Sequence, residues 1–257
     1  MNWLNAAVLL AMPLIGGFIA LSLKKKSENF HKFILSLTGA YLFGITILHL
    51  MPEVYGIGGF SIGVWILAGF FIQLLLEQLT KGVEHGHFHV HEQKSPSMFF
   101  ISIMIGLSLH ALLEGMPLAE GAHDHHHHHH HHGHDHDGNQ FSLLSAIAMH
   151  KLPAGFALMA ILIASNVSKV KSIVLLIIFA IMTPLGMLVG NFVVNSTQHI
   201  TVTGLPIADI IMCIVIGSFF HISTTILFES SGKMHTFQLS KIIAILVGIG
   251  MAVLTLI

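Results

Sequence analysis

The chain is written as a succession of long apolar stretches, and no other feature narrows its fold so far. Eight can be read, with limits near 3–23, 33–52, 60–80, 98–119, 141–164, 170–194, 207–229 and 238–257. About 20 mostly apolar residues suffice to cross the hydrocarbon core of a bilayer. Backbone groups in lipid find no partner outside their own segment, so each stretch is expected to be helical. Charged residues make up only 9% of the chain and hydrophobic ones 54%, with a mean hydropathy of +0.80. A soluble domain carries about 25% charged residues, so this chain cannot cover a water-facing surface. The expectation is an all-α polytopic membrane protein, a single eight-span helix-bundle domain over 1–257 with loops at 81–97 and 120–140. A net charge of −1 without a basic patch excludes nucleic-acid binding. The lone Cys213 excludes a disulfide framework and a cysteine-rich zinc fold. The first stretch opens without a cationic region and is followed by Lys24, Lys25 and Lys26, so it reads as a true span rather than a cleavable signal.

Lysine positions give an orientation. Lys24, Lys25, Lys26 and Lys32 lie between spans one and two, Lys81 and Lys94 between three and four. Lys169 and Lys171 lie between five and six, Lys233 and Lys241 between seven and eight. The alternate loops, 53–59, 120–140 and 195–206, contain none. Ten of the eleven lysines thus share one side, read as the cytoplasm. Both termini then lie outside, in a plasma membrane or bacterial inner membrane. The eleventh, Lys151, falls within span five. Spans two and seven echo each other: Thr46-Ile47-Leu48 precedes His49 and, further on, Glu53, and Thr225-Ile226-Leu227 precedes Phe228 and Glu229. Running in opposite directions, they fit an inverted repeat, a transporter architecture. Chance in a chain rich in Ile and Leu fits as well.

Histidine is the compositional anomaly, with 22 in the chain. Residues 123–136 hold eleven of them, from His123 and His125 to His134 and His136. The run lies between two spans, which rules out a terminal purification tag. His85, His87, His89 and His91 form a second tract. Neutral imidazole suits zinc, copper, nickel and iron(II), and flexible His-rich tracts bind such ions. A merely solvated linker is the alternative. By the lysine rule the long tract faces outside and the short one the cytoplasm, an arrangement that would suit an importer.

Ionisable groups at membrane depth are costly and become functional candidates by default. His110 and Glu114 in span four are spaced i,i+4 and share a helix face. An imidazole and a carboxylate so placed can bind one divalent ion. Span five carries His150, with Pro153 and Gly155 expected to kink the helix beside it. Helix-to-helix hydrogen bonding is the plainer reading of any single such residue. Two adjacent spans that each carry a histidine, joined by a metal-binding tract, favour a metal pathway. His49 and Glu53 near the outer end of span two either relay ions or anchor the helix end. His221 sits mid-span in seven, and Glu229 near its cytoplasmic end is either a pathway ligand or a solvated terminus. Met104, Met116, Met149 and Met187 read as packing residues, and Asp209 as an N-terminal helix charge.

The segments His110-Ala111-Leu112-Leu113-Glu114-Gly115 and His150-Lys151-Leu152-Pro153-Ala154 resemble spans four and five of the ZIP (Zrt-, Irt-like) family of divalent-metal transporters. His49-Leu50-Met51-Pro52-Glu53, the end of span seven at Glu229, the span number and the outside termini are similar to that family too. The resemblance implies a zinc or iron(II) uptake carrier with its transport site between spans four and five. His110, Glu114 and His150 match the family's ligands there. The chain departs from the family pattern at Ala111, where Asn is frequent, and at Lys151 and Ala154, where further ligands are frequent. An ammonium near the second position repels a cation, so one bound metal is expected. The long His run also lies between spans four and five, where the family's lies between three and four.

The expected function is import of a divalent transition metal, zinc foremost, with iron(II), manganese, cobalt and cadmium accepted by the same chemistry. Alternating access around His110, Glu114 and His150 is the mechanism implied. These ligands bind deprotonated, so transport should depend on pH. No catalysis and no resident cofactor are expected, and the partners are the metal and the lipid bilayer, with a homodimer open as an assembly. One rival is an intramembrane zinc hydrolase, in which His110, His150 and His221 would hold a water-activating metal. Another is a cation-diffusion exporter, which shares His-rich loops but has six spans and a soluble C-terminal domain.

Overall fold

The computed structural model describes residues 3–22, 28–56, 59–80, 96–119, 136–229 and 239–255. The first helix, α1 (Trp3–Ser22), is followed by α2 (Glu28–Ile45), a π-helical turn (Thr46–Leu50) and α3 (Met51–Tyr55). Then come α4 (Gly59–Thr80), α5 (Pro96–Gly115) with a 3₁₀ turn (Met116–Leu118), α6 (His136–Ala164) and α7 (Lys169–Ser196). Strands β1 (Thr201–Val202) and β2 (Leu205–Pro206) precede α8 (Ile207–Glu229) and α9 (Leu239–Leu254). The π turn has a local cause. Pro52 supplies no amide hydrogen, the Thr46 hydroxyl donates to the Leu42 carbonyl at 2.7 Å, and the Met51 amide reaches five residues back to the Thr46 carbonyl.

Among the described residues, seven helical segments are long and apolar enough to cross a membrane: Trp3–Ser22, Phe33–Tyr55, Gly59–Gln78, Phe100–Leu118, Phe141–Ala164, Lys169–Ser196 and Ile207–Phe228. The eighth expected span is met by α9, apolar but only 16 residues long. At 1.5 Å per residue that is about 24 Å, short of the ~30 Å hydrocarbon core. Elsewhere hydropathy marks the membrane-crossing portion and not the helix end. Thus α6 starts at His136 rather than 141, and α2 at Glu28 rather than 33. The helical run of α6 is also unbroken through Pro153.

The loop expected over 195–206 contains a small antiparallel hairpin, a correction to the all-α expectation. Thr203 and Gly204 both have positive φ, 55° and 81°, as a two-residue hairpin turn matched to strand twist requires. The hairpin is fastened to α4, where the Trp65 indole donates to Thr203 Oγ1 at 2.9 Å and the Ser61 hydroxyl to the Thr203 carbonyl at 3.1 Å.

The helices pack chiefly as four pairs: α1 with α6, α5 with α7, α2 with α9 and α4 with α8. In lipid, association relies on close van der Waals approach at small residues. A Cβ on Gly155 would lie 2.1 Å from the Pro13 carbonyl oxygen of α1, and one on Gly186 2.1 Å from that of Leu112 on α5. The α4–α8 crossing repeats this at Gly69 and Gly217. One apolar cluster joins α1, α5, α6 and α7 through Ala20, Ile103, Leu158 and Leu176. Another centres on α2 and α8 and includes Leu42, Ile45, Phe219 and Ile222. Val64, Leu67, Phe71 and Leu75 leave an exposed apolar stripe along α4, which a bilayer solvates.

Candidate metal site

Helix α5 places His110 and Glu114 one turn apart on its buried face, and α6 places His150 and Lys151 opposite. Their side-chain exposures are 2%, 0%, 2% and 1%. Close packing fixes both helices at this level. Gly115 would bring a Cβ within 2.1 Å of the Thr183 carbonyl oxygen on α7, and Gly155 seats α6 on α1. The Met116–Leu118 turn, carrying Pro117, ends α5 directly after the Glu114-Gly115 pair.

Glu114 is the centre. Its Oε1 lies 2.9 Å from His110 Nε2 and 4.0 Å from His150 Nε2. The two imidazoles stand edge to face, with ring centroids 5.9 Å apart at 80°. One ligand atom from each of His110, Glu114 and His150 falls within 4.8 Å of the others. Two imidazole nitrogens and a carboxylate oxygen suit zinc and its borderline neighbours, and three protein ligands leave coordination positions open. The other oxygen, Oε2, is taken by the Lys151 ammonium. Lys151 therefore does more than repel a cation from a neighbouring position: it occupies half of the one carboxylate. A buried carboxylate costs several kcal/mol unless compensated, and here an ammonium and two imidazoles surround it. Lys151 Nζ also lies over the Phe179 ring of α7, 5.2 Å from its centroid.

Among the described residues, the remaining candidates do not join this group. His49 sits in the π turn, buried, and is tied by both ring nitrogens. Nε2 lies 3.2 Å from the Ala252 carbonyl and 3.0 Å from Thr255 Oγ1. Because a carbonyl only accepts, Nε2 carries the proton. Nδ1 then accepts from the Ser142 hydroxyl at 3.2 Å. Ser145 in turn donates to the Ser142 carbonyl at 2.8 Å and accepts from the Tyr41 phenol at 2.7 Å. The geometry is that of a tie between α2, α6 and α9. Glu53 lies in α3, partly buried. His221 pairs with Glu77 on α4 and stands edge to face with Phe70, centroids 4.9 Å apart. One turn away the Ser218 hydroxyl donates to Gln73 Oε1 at 3.1 Å. Glu229 ends α8, but its side chain lies outside the described residues, as does that of His136. His85, His87, His89, His91, His123, His125 and His134 also lie outside them. Met187 is buried in the apolar core, and Met104 and Met149 pack against it or its neighbour. Asp209 stands in the first turn of α8.

Sequence reasoning missed Glu77, Gln73 and Phe179. Gln73 and Glu77 are spaced i,i+4 near the end of an apolar run, with Ser218 and His221 spaced i,i+3 in span seven. That matched pair of polar spacings was the available signal. Nothing in the sequence singles out Phe179 among 18 phenylalanines.

Comparison with known proteins finds a match to the family model described as "ZIP Zinc transporter" over residues 84–256. Protein zntD of Dictyostelium discoideum is 29% identical over 153 residues, 56% of this chain and 20% of that protein. Zinc transporter ZIP9 of Micropogonias undulatus is 24% identical over 181 residues, 68% of this chain and 53% of that protein. Zinc transporter ZIP9-B of Xenopus laevis is also 24% identical, over 68% of this chain and 54% of its own length. The chain thus spans between a fifth and about half of these relatives.

Proposed function

This chain belongs to the ZIP zinc transporter family, and on that premise we propose that it carries a divalent transition metal, zinc foremost, into the cytoplasm through one site formed by His110, Glu114 and His150. The observation that carries the reading is the meeting of three buried ligands from two helices within 4.8 Å. Iron(II), manganese, cobalt and cadmium suit the same donors, and geometry selects among them.

One ion is held at a time, because Lys151 takes Oε2 of Glu114 and leaves Oε1 to the imidazoles. Ala111 and Ala154 add no donor. Alternating access would expose this site to each side in turn. The helix pairing supports an inverted repeat and eight spans. Exchanging spans one with six, two with seven, three with eight and four with five converts the α1–α6 pair into α5–α7, and α2–α9 into α4–α8. The lysine distribution favours import with both termini outside. A hydrolase built on His110, His150 and His221 finds no support, since His221 is engaged by Glu77.

Uptake into proteoliposomes tests the proposal, with one labelled ion at a time and a pH gradient on or off. Saturable zinc entry that is lost in His110→Ala is the expected result. Zinc entry that His110→Ala leaves unchanged would overturn it.

A further inference from the structure

We infer that Phe179 is a positioning residue of the metal site: its ring face holds the Lys151 ammonium on Oε2 of Glu114 and so keeps Oε1 turned to the two imidazoles. The inference rests on the reading of His110, Glu114 and His150 as the transport site.

An ammonium has three donors, and Lys151 is 1% exposed, far from bulk water. Glu114 Oε2 lies against it on one side as its ion-pair partner. The Phe179 ring lies on another, its centroid 5.2 Å from Nζ, inside the ~6 Å reach of a cation–π contact. The negative ring face attracts the cation, and the attraction is strongest where water is excluded. Phe179 is itself 1% exposed and belongs to the same apolar cluster as Ala111 and Ala154. The ring therefore comes from α7 in a packing unit that includes Ala111 and Ala154, two of the three positions at which the chain departs from the family pattern.

The consequence concerns competition for one carboxylate. A metal on Oε1 and an ammonium on Oε2 share Glu114 without displacing each other. An ammonium without its ring partner would seek both oxygens, as a compact charge with rotatable donors does. It would then oppose the incoming ion at Oε1. A side chain of similar size without a π face fills the volume but exerts no such hold.

The full chain in proteoliposomes gives the test, with saturation curves for radiolabelled zinc. Phe179→Leu and Phe179→Met should each raise KM about tenfold, the scale of a desolvated cation–π contact, with the maximal rate within about twofold. Two non-aromatic replacements are used so that misfolding of one, seen by size exclusion, leaves the other to decide. Phe179→Tyr keeps the ring face and should hold KM within about twofold of the unaltered chain. In a Lys151→Met background, Phe179→Leu should add less than about a twofold change, since no ammonium remains to be placed. Leucine and methionine variants with unaltered KM would overturn the inference. So would a tyrosine variant as impaired as they are, or a ring effect that persists undiminished without Lys151. His110→Ala runs alongside: if it abolishes uptake while the Phe179 series is flat, only the ring inference falls. If it transports normally, the site reading falls instead.

Discussion

Lys151 of α6 and Glu114 of α5, both shut off from solvent, are ion-paired through one carboxylate oxygen, while the other faces His110. Removing one partner of a buried pair strands the other charge and costs about 3–5 kcal/mol. Glu114→Gln should therefore lower the thermal midpoint markedly. The double variant Glu114→Gln with Lys151→Met should recover most of it, yet bind no zinc in the membrane site. Melting in detergent and equilibrium zinc binding separate the two effects. A double variant as unstable as Glu114→Gln alone would contradict the pairing.

We expect the shared carboxylate to limit stoichiometry as well. A variant lacking residues 85–91 and 123–136 should retain one tightly held zinc per chain. Elemental analysis after desalting measures this, and two ions per chain would refute the single-ion reading.

His150 depends on the seating of α6 against α1 at Gly155, where a Cβ would lie 2.1 Å from the Pro13 carbonyl oxygen. Backbone cannot yield as a flexible side chain can. Gly155→Ala should cost about 1–3 kcal/mol through overpacking and weaken zinc binding by displacing His150. Gly250→Ala, where nothing lies within 4 Å of the new Cβ, is the matched control and should change neither. Equal effects of the two substitutions would remove the packing argument.

Both ring nitrogens of His49 are engaged by α6 and α9. His49→Ala should lower stability by about 1–3 kcal/mol, the cost of leaving buried partners unsatisfied, while the KM for zinc stays near its original value. Unchanged stability with a large rise in KM would restore His49 to the ion pathway.

The sequence and the structure agree where one physical rule decides. Length and apolarity mark the membrane helices, and i,i+4 spacing places His110 beside Glu114 on one face. The meeting with His150 was legible because the adjacent spans each carried a costly polar group. Pairings between distant helices were not legible. His221 finds Glu77, and His49 finds Ser142 and Thr255, across 144, 93 and 206 residues of sequence, separations on which helical periodicity is silent. Lys151 was legible as a charge out of place, but its hold on Glu114 Oε2 depends on side-chain direction. The hairpin at Thr203-Gly204 escaped because its strands are only two residues each, too short to show alternation.

We propose that the ion crosses at His110, Glu114 and His150 and that the long His-rich tract only gathers metal outside. Saturation curves for radiolabelled zinc, in cells expressing each variant at matched surface levels, test it most directly. Deleting 123–136 should weaken uptake at low zinc, by lowering the local metal concentration, and leave the maximal rate nearly intact. His110→Ala should abolish uptake at every concentration, since it removes a ligand inside the membrane that nothing replaces. Loss of maximal uptake on deleting the tract, together with normal transport by His110→Ala, would contradict the account.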